Sequence, residues 1–452
     1  MIFPLTLITV AGCIAWARAR EGGRSPLLLG LYVWAGAIVL TAMPLFIFQV
    51  TYSISTDAFV AGCLLATSTI YLLVRHSPRR PPAHYSHQRR ELFLMRCLGG
   101  IGVIGALLIL GDAVQSGTSL SISSLGENLA ASRETTFRNS ETGTGSFALV
   151  LGGLLASCSY LYLAASTRLP LGRVLPIITF VLIAAISLFV FAGRQSIFMA
   201  LMLVVVGLYL LGWRIPIRFR TVVIGTLILG LVWYSAINFL DQRSEGADPQ
   251  GALLQGQRAT YSPWIAGAAA SSKTLGLALF NVSYFSSPLP SLTYYDRQVA
   301  PGPYYGAYSF PAPALFLSKI TGTHVPDGWA AIRRDIFGVY EGRGYNGNVW
   351  ATWLRDLRLD FGYLGAICFC GLFGGFMAWA RNRFELTGAV HYHCLVTIAG
   401  LTFANGAFSN LLFNNFLAYA FFVGVAFMVA MQIDFRPQRR RKLRTALVTN
   451  PT

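Results

Sequence analysis

The chain has 452 residues and a formal net charge of +17; 54% of its residues are hydrophobic, 13% aromatic and only 12% charged, about half the charged share of an ordinary soluble domain. That balance excludes a soluble protein of this length, and the apolar residues instead come in runs of roughly 17 to 24, long enough to cross about 30 Å of hydrocarbon as a helix. The pI near 9.9 does not indicate nucleic-acid binding, because the Lys and Arg residues are divided among loops and do not line one folded face.

An all-α, polytopic membrane protein is therefore expected, one integral domain over residues 1–452. Its spans fall at about 2–17, 27–49, 58–74, 92–114, 146–166, 174–192, 196–213, 221–240, 361–380, 394–409 and 412–432, or about 11 transmembrane helices. The N-terminal run lacks a basic region and a small-residue cleavage site, so it reads as the first retained span. All seven cysteines lie in or beside apolar runs, which speaks against a disulfide framework or a thiolate metal site.

Alternate loops differ sharply in charge. Residues 18–24, 75–91, 168–173, 214–220, 381–393 and the tail after Ile433 hold 21 Lys and Arg against four acids, Glu21, Glu91, Glu385 and Asp434. The opposite set holds 13 basic and 14 acidic residues. Basic loops stay in the cytoplasm, so 75–91 and the basic tail 433–452 are expected there. The loops 115–145 and 241–346 are then expected on the far side. The second is too long for a structureless connection and is where function is expected. Within it, 275–285 and 313–320 are apolar but too short to span.

Arginine on the far side opposes the insertion bias. Arg133, Arg138, Arg194, Arg243, Arg297, Arg333, Arg334, Arg343, Arg355 and Arg358 all sit there. Several converging guanidinium groups would suit a diphosphate, whose oxygens arginine holds bidentately; pairing with Glu134, Asp241, Glu245, Asp335 or Asp356 is the alternative. Arg194, in the short turn GRQS, must lie at membrane-surface depth. Arg194, Arg333 and Arg334 are the candidate catalytic cations, and Arg133 and Arg243 further substrate contacts.

The stretch 286–316 is rich in Tyr, Phe, Pro and Gly. Tyr294, Tyr295, Tyr304 and Tyr305 fit a saccharide groove, with an interfacial aromatic belt as the alternative. Asp296, Glu341 and Asp360 are the candidate general bases, and Asp296 and Asp360 join the catalytic set. Neither a metal site nor a nucleotide motif is present in the sequence, so no cofactor is expected.

This pattern resembles the bacterial Wzy-type O-antigen and oligosaccharide repeat-unit polymerases. The likeness covers most of the chain. Its motif is the segment 346–365, NGNVWATWLRDLRLDFGYLG, in which Asn348, Asp360, Gly362 and Gly365 match. Arg333 to Gly344 fits an Arg, ten residues, Gly spacing; near Arg133 the glycines, Gly143 and Gly145, are offset from it. The resemblance implies a GT-C-like glycosyltransferase of the bacterial inner membrane with its active site facing the periplasm. It would move a growing glycan from undecaprenyl diphosphate onto a newly flipped lipid-linked repeat unit, with Asn348 among the substrate contacts. Membrane lipid, a chain-length regulator and a flippase are the candidate partners, and no nucleic acid. An O-antigen ligase, with lipid A-core as acceptor, would share this architecture and donor and is not separated by composition. A lipid-linked oligosaccharide flippase or other transporter should instead carry charged or Gly/Pro-broken helices at midplane, where these spans are mostly clean.

Overall fold

A computed structural model describes residues 3–21, 23–50, 52–75, 88–115, 147–169, 174–190, 195–212, 259–298, 306, 309–310, 352–408 and 415–433. In chain order the helices are α1 (Pro4–Glu21), α2 (Pro26–Ala42), α3 (Ile54–Val74), α4 (Gln88–Gln115), α5 (Phe147–Ser166), α6 (Val174–Ala185, continued by a π-turn at Ile186–Val190), α7 (Gln195–Leu210), α8 (Pro263–Ser271), α9 (Lys273–Ser286), α10 (Pro288–Gln298), α11 (Trp353–Thr387), α12 (Val390–Asn405) and α13 (Asn415–Ile433). Between them, β1 (Phe46–Phe48) pairs antiparallel with β2 (Ala259–Tyr261), Ile47 opposite Thr260.

The helix starts have local causes. Ser25 accepts the Leu28 N–H at 3.0 Å, with Pro26 in the first turn of α2, where a missing N–H costs nothing. α1 takes its cap from another helix. Its free Leu5 and Thr6 N–H groups donate to the Asp57 carboxylate of α3 at 3.0 and 2.9 Å, which accounts for an aspartate with no exposed surface.

Every residue of α12 is buried, its two histidines, two threonines and Asn405 included, so it lies inside the bundle. It is shared by two cores. One is built with α4, α5, α6, α7 and α13; the other, with α1, α2, α3, α10 and α11. Glycine lets the pairs approach. A Cβ at Gly105 of α4 would lie 2.3 Å from the Ala156 nitrogen of α5, and one at Gly374 of α11 would lie 2.2 Å from the Thr67 carbonyl oxygen of α3. Gly105→Ala should therefore cost about 1–3 kcal/mol through overpacking. Gly100→Ala and Gly111→Ala, on the same helix but facing open space, should instead gain up to about 1 kcal/mol in helix propensity. Thermal unfolding of the three purified variants checks this; three equal melting temperatures would refute it.

Three described helices are long and apolar enough to cross a membrane, Ile54–Val74, Glu91–Gln115 and Trp353–Thr387. Shorter apolar helices cover Pro26–Ala42, Leu151–Ser166, Val174–Ala185, Ser196–Leu210 and Tyr419–Val429. Among the described residues, length and composition thus do not confirm the count of eleven spans, and 221–240 lies outside the described residues. Two expected boundaries are corrected. The run 27–49 stops being helical at Ala42, because residues 46–48 pair as a strand. The span expected at 361 belongs to a helix that begins at Trp353 and is broken at Gly362 (φ 67°, ψ −174°), a conformation glycine adopts at no steric cost. The expected loop 381–393 is mostly helix, turned at Gly388 in the left-handed region (φ 67°). Segment 275–285 is helical within α9; 313–320 lies outside the described residues.

The described parts of the basic loops gather at one end of the bundle. Arg75 pairs with Glu21 at 2.6 Å and Glu385 at 2.7 Å, Arg24 donates to the Gly212 carbonyl at 2.8 Å, and Arg168 donates to that of Gly388 at 3.1 Å. Glu91 pairs with His391 at 3.0 Å and accepts the Val390 N–H at the start of α12. The start of α1, the loop before α3, α8, α9, α10 and the start of α11 meet at the opposite end. There Thr41 donates to the Ser286 carbonyl at 2.9 Å and the Trp264 indole to that of Pro44 at 2.7 Å.

Candidate functional site

At the end opposite the basic loops, three separate segments converge. α3 supplies Thr56, α10 supplies Tyr295, Asp296 and Arg297, and the nine residues of α11 before its break supply Arg355, Asp356, Arg358 and Asp360. This arm, Trp353–Phe361, is fastened to α12 where the Trp353 N–H donates to the Gly406 carbonyl at 3.1 Å. Its charged residues alternate with Leu354, Leu357 and Leu359, all buried, so the arm carries charge into the packed end of the bundle.

Asp296 is the hub. Arg358 Nε lies 2.7 Å from its Oδ1, and the Tyr363 hydroxyl donates to the same oxygen. The Thr56 hydroxyl donates to Oδ2 at 2.6 Å, and Arg358 also donates to the Asp296 carbonyl at 2.9 Å. Both side chains are almost entirely buried, 5% and 3% exposed. Both carboxylate oxygens are thus engaged, which disfavours Asp296 as a general base, since accepting a proton would discharge the ion pair to Arg358 and give up a bond from a hydroxyl.

Arg355 is held differently. Its Nε lies 2.7 Å from the buried Asp356 carboxylate, Nη1 donates to the Tyr295 hydroxyl at 3.0 Å, and the guanidinium sits 4.8 Å from the centre of the Tyr295 ring. Its second Nη makes no hydrogen bond to a described residue. Burial pushes the Tyr295 phenol above its ordinary range, against the pull of Arg355, so it is fixed as a neutral partner. Asp360 accepts the Ser309 N–H at 2.6 Å. Arg297 donates to the Tyr52 carbonyl at 2.9 Å. The Tyr52 phenol, pushed up to about 12 by burial and by Asp57, donates to that carboxylate at 2.7 Å.

Of the residues expected from sequence, Asp296, Asp360, Tyr294 and Tyr295 are therefore at one place. The tyrosines are buried, 6% and 1% exposed, so they offer no open face to a sugar, and Tyr295 packs against Arg355 of the arm. Arg133, Arg194, Arg243, Arg333, Arg334, Tyr304, Tyr305 and Asn348 lie outside the described residues. Thr56 and Tyr363 had no sequence signal, one being an ordinary helix-start threonine and the other one aromatic among many. Arg355 and Arg358 did carry one, because arginines three apart share a helix face and Asp356 and Asp360 are interleaved with them. Among the described residues no group of three or more His, Cys, Asp or Glu is placed to hold a metal ion. Compared with protein-family models, curated proteins and solved structures, the chain matches none.

Proposed function

We propose that the chain is an integral membrane glycosyltransferase that polymerises polyprenyl-diphosphate-linked oligosaccharide repeat units at the outer face of a bacterial inner membrane. The observation that carries this reading is the cluster of arginines and carboxylates at the end of an apolar bundle opposite its basic loops. Basic loops are retained in the cytoplasm, which puts that cluster at the outer surface, where a lipid-linked substrate presents its diphosphate. The resemblance in 346–365 supplies a second support, because the arm Trp353–Phe361 lies inside that segment.

In this reading the acceptor hydroxyl oxygen bonds to the donor's anomeric carbon as the bond from that carbon to the diphosphate oxygen breaks. The hydroxyl proton passes to a carboxylate and polyprenyl diphosphate leaves. Asp360 and Glu341 are the carboxylates proposed for the proton; Asp296, which holds Arg358, Thr56 and Tyr363, is not among them. Arg355 offers the Nη that bonds to no described residue to the leaving diphosphate, with Arg194, Arg333 and Arg334 as further cations. A flippase would deliver the acceptor and a chain-length regulator would bear on the product.

The polysaccharide ladder of a deletion strain tests the function. A single capped repeat per lipid core supports a polymerase. Accumulated lipid-linked polymer with none attached would make the protein a ligase, and loss of the outward-facing intermediate would make it a flippase. Orientation has its own test with single cysteines introduced into a cysteine-free chain. A membrane-impermeant maleimide should label residue 300 but not residue 80 in intact spheroplasts, and the reverse would turn the protein over.

A further inference from the structure

Two consecutive residues of α10, Tyr295 and Asp296, hold two arginines one helical turn apart on the arm, Arg355 and Arg358. The arm's direction is not set by α11 alone, because the helix is interrupted at Gly362. Asp296 grips both sides of that break, Arg358 before it and Tyr363 after it, while Thr56 ties the same carboxylate to α3. The Arg358 guanidinium also lies 5.0 Å from the centre of the Tyr363 ring, and Phe59 of α3 meets that ring edge-on at 5.2 Å.

We propose that Asp296 and Arg358 are positioning residues, an ion-pair pin across the break whose task is to hold Arg355 where it meets the substrate diphosphate. Neither pin residue touches the substrate. The inference rests on the reading of Arg355 given above and assigns Asp296 a role other than proton transfer. A pin of this kind acts through one other side chain, so its loss should matter only while that side chain is present.

The test is a double-mutant cycle on the full chain in lipid nanodiscs, titrated with farnesyl diphosphate as a short polyprenyl diphosphate. Arg355→Ala should weaken binding by roughly tenfold or more, the worth of a charge-assisted hydrogen bond. Asp296→Asn should weaken it by a similar factor in the native background and by nothing further in the Arg355→Ala background. Tyr363→Phe, which removes only one bond to the pin, should weaken it a few-fold and show the same non-additivity. It also serves if Asp296→Asn fails to accumulate.

Wild-type affinity in both Asp296→Asn and Tyr363→Phe, or losses that add to that of Arg355→Ala, would overturn the pin. So would loss of polymer in Asp296→Asn with farnesyl diphosphate affinity intact, which would return Asp296 to the chemistry. Wild-type affinity in Arg355→Ala would remove what the pin is said to position. A non-additive cycle together with a normal ladder in the deletion strain would instead leave the pin standing and sink the polymerase reading.

Discussion

Replacing Arg355 by Ala together with Asp356→Asn, so that no buried carboxylate is stranded, is expected to remove long polymer while the protein stays in the membrane at its normal abundance. A cation that meets a leaving group mainly as its charge develops contributes about 3 kcal/mol, or roughly a hundredfold in rate. Lys should recover only part of the activity. It keeps the charge but cannot hold Asp356, Tyr295 and an incoming oxygen at once, as the planar guanidinium can. Abundance and glycan length have to be read for the same variant, because Arg355 also neutralises the buried Asp356. If Arg355 only folds the arm, Arg355→Ala alone should be scarce and the pair Arg355→Ala with Asp356→Asn should make full-length polymer. Full-length polymer at normal abundance would exclude Arg355 from the reaction. The same two measurements apply to Arg194, Arg333 and Arg334.

The apolar runs made most of the helices legible, since spans of this length can satisfy their backbone in lipid only internally. Charge asymmetry also marked which helix ends belong together, and the contacts of Arg75, Arg24 and Arg168 join those ends in space. The runs misled where local pairing or glycine intervened. Nothing in the apolar stretch 27–49 marks Phe46–Phe48 as a strand, because its partner is more than two hundred residues away. The break at Gly362 has no signal in the apolar pattern, and the helical arm before it is obscured because charged residues interrupt the Leu354, Leu357 and Leu359 face. Asp296 and Tyr295 stood out by residue type alone. Their roles depend on Thr56, Arg355, Arg358 and Tyr363, contacts between distant segments that no spacing rule in one sequence supplies. The same holds for Asp57, whose capping of α1 needs two helices that meet only in the fold.

Breaking the ionic cluster at the other end should have the largest effect on stability. Arg75 lies between Glu21 and Glu385 and donates to the Asn382 side-chain oxygen at 2.6 Å, tying α1, α3 and α11 together. Arg381 also pairs with Glu385 at 2.7 Å, so the carboxylate stranded by Arg75→Ala is chiefly Glu21, whose side chain is only 4% exposed. Removing one partner of a buried pair costs about 3–5 kcal/mol, because the charge left behind has neither water nor a counterion. The melting temperature of the purified protein should fall accordingly. Replacing the group together, Arg75→Met with Glu21→Gln, should recover most of the loss, since a buried ion pair contributes little net stability over neutral groups that fill its space. Affinity for farnesyl diphosphate per folded molecule should not change in either variant. The 21 residues of α3 separate this cluster from Thr56 and Asp296 by about 30 Å at 1.5 Å per residue. A full-strength melt for Arg75→Ala would show that Glu21 finds solvent or another donor there, and a parallel loss of affinity would mean that the two ends of α3 are coupled.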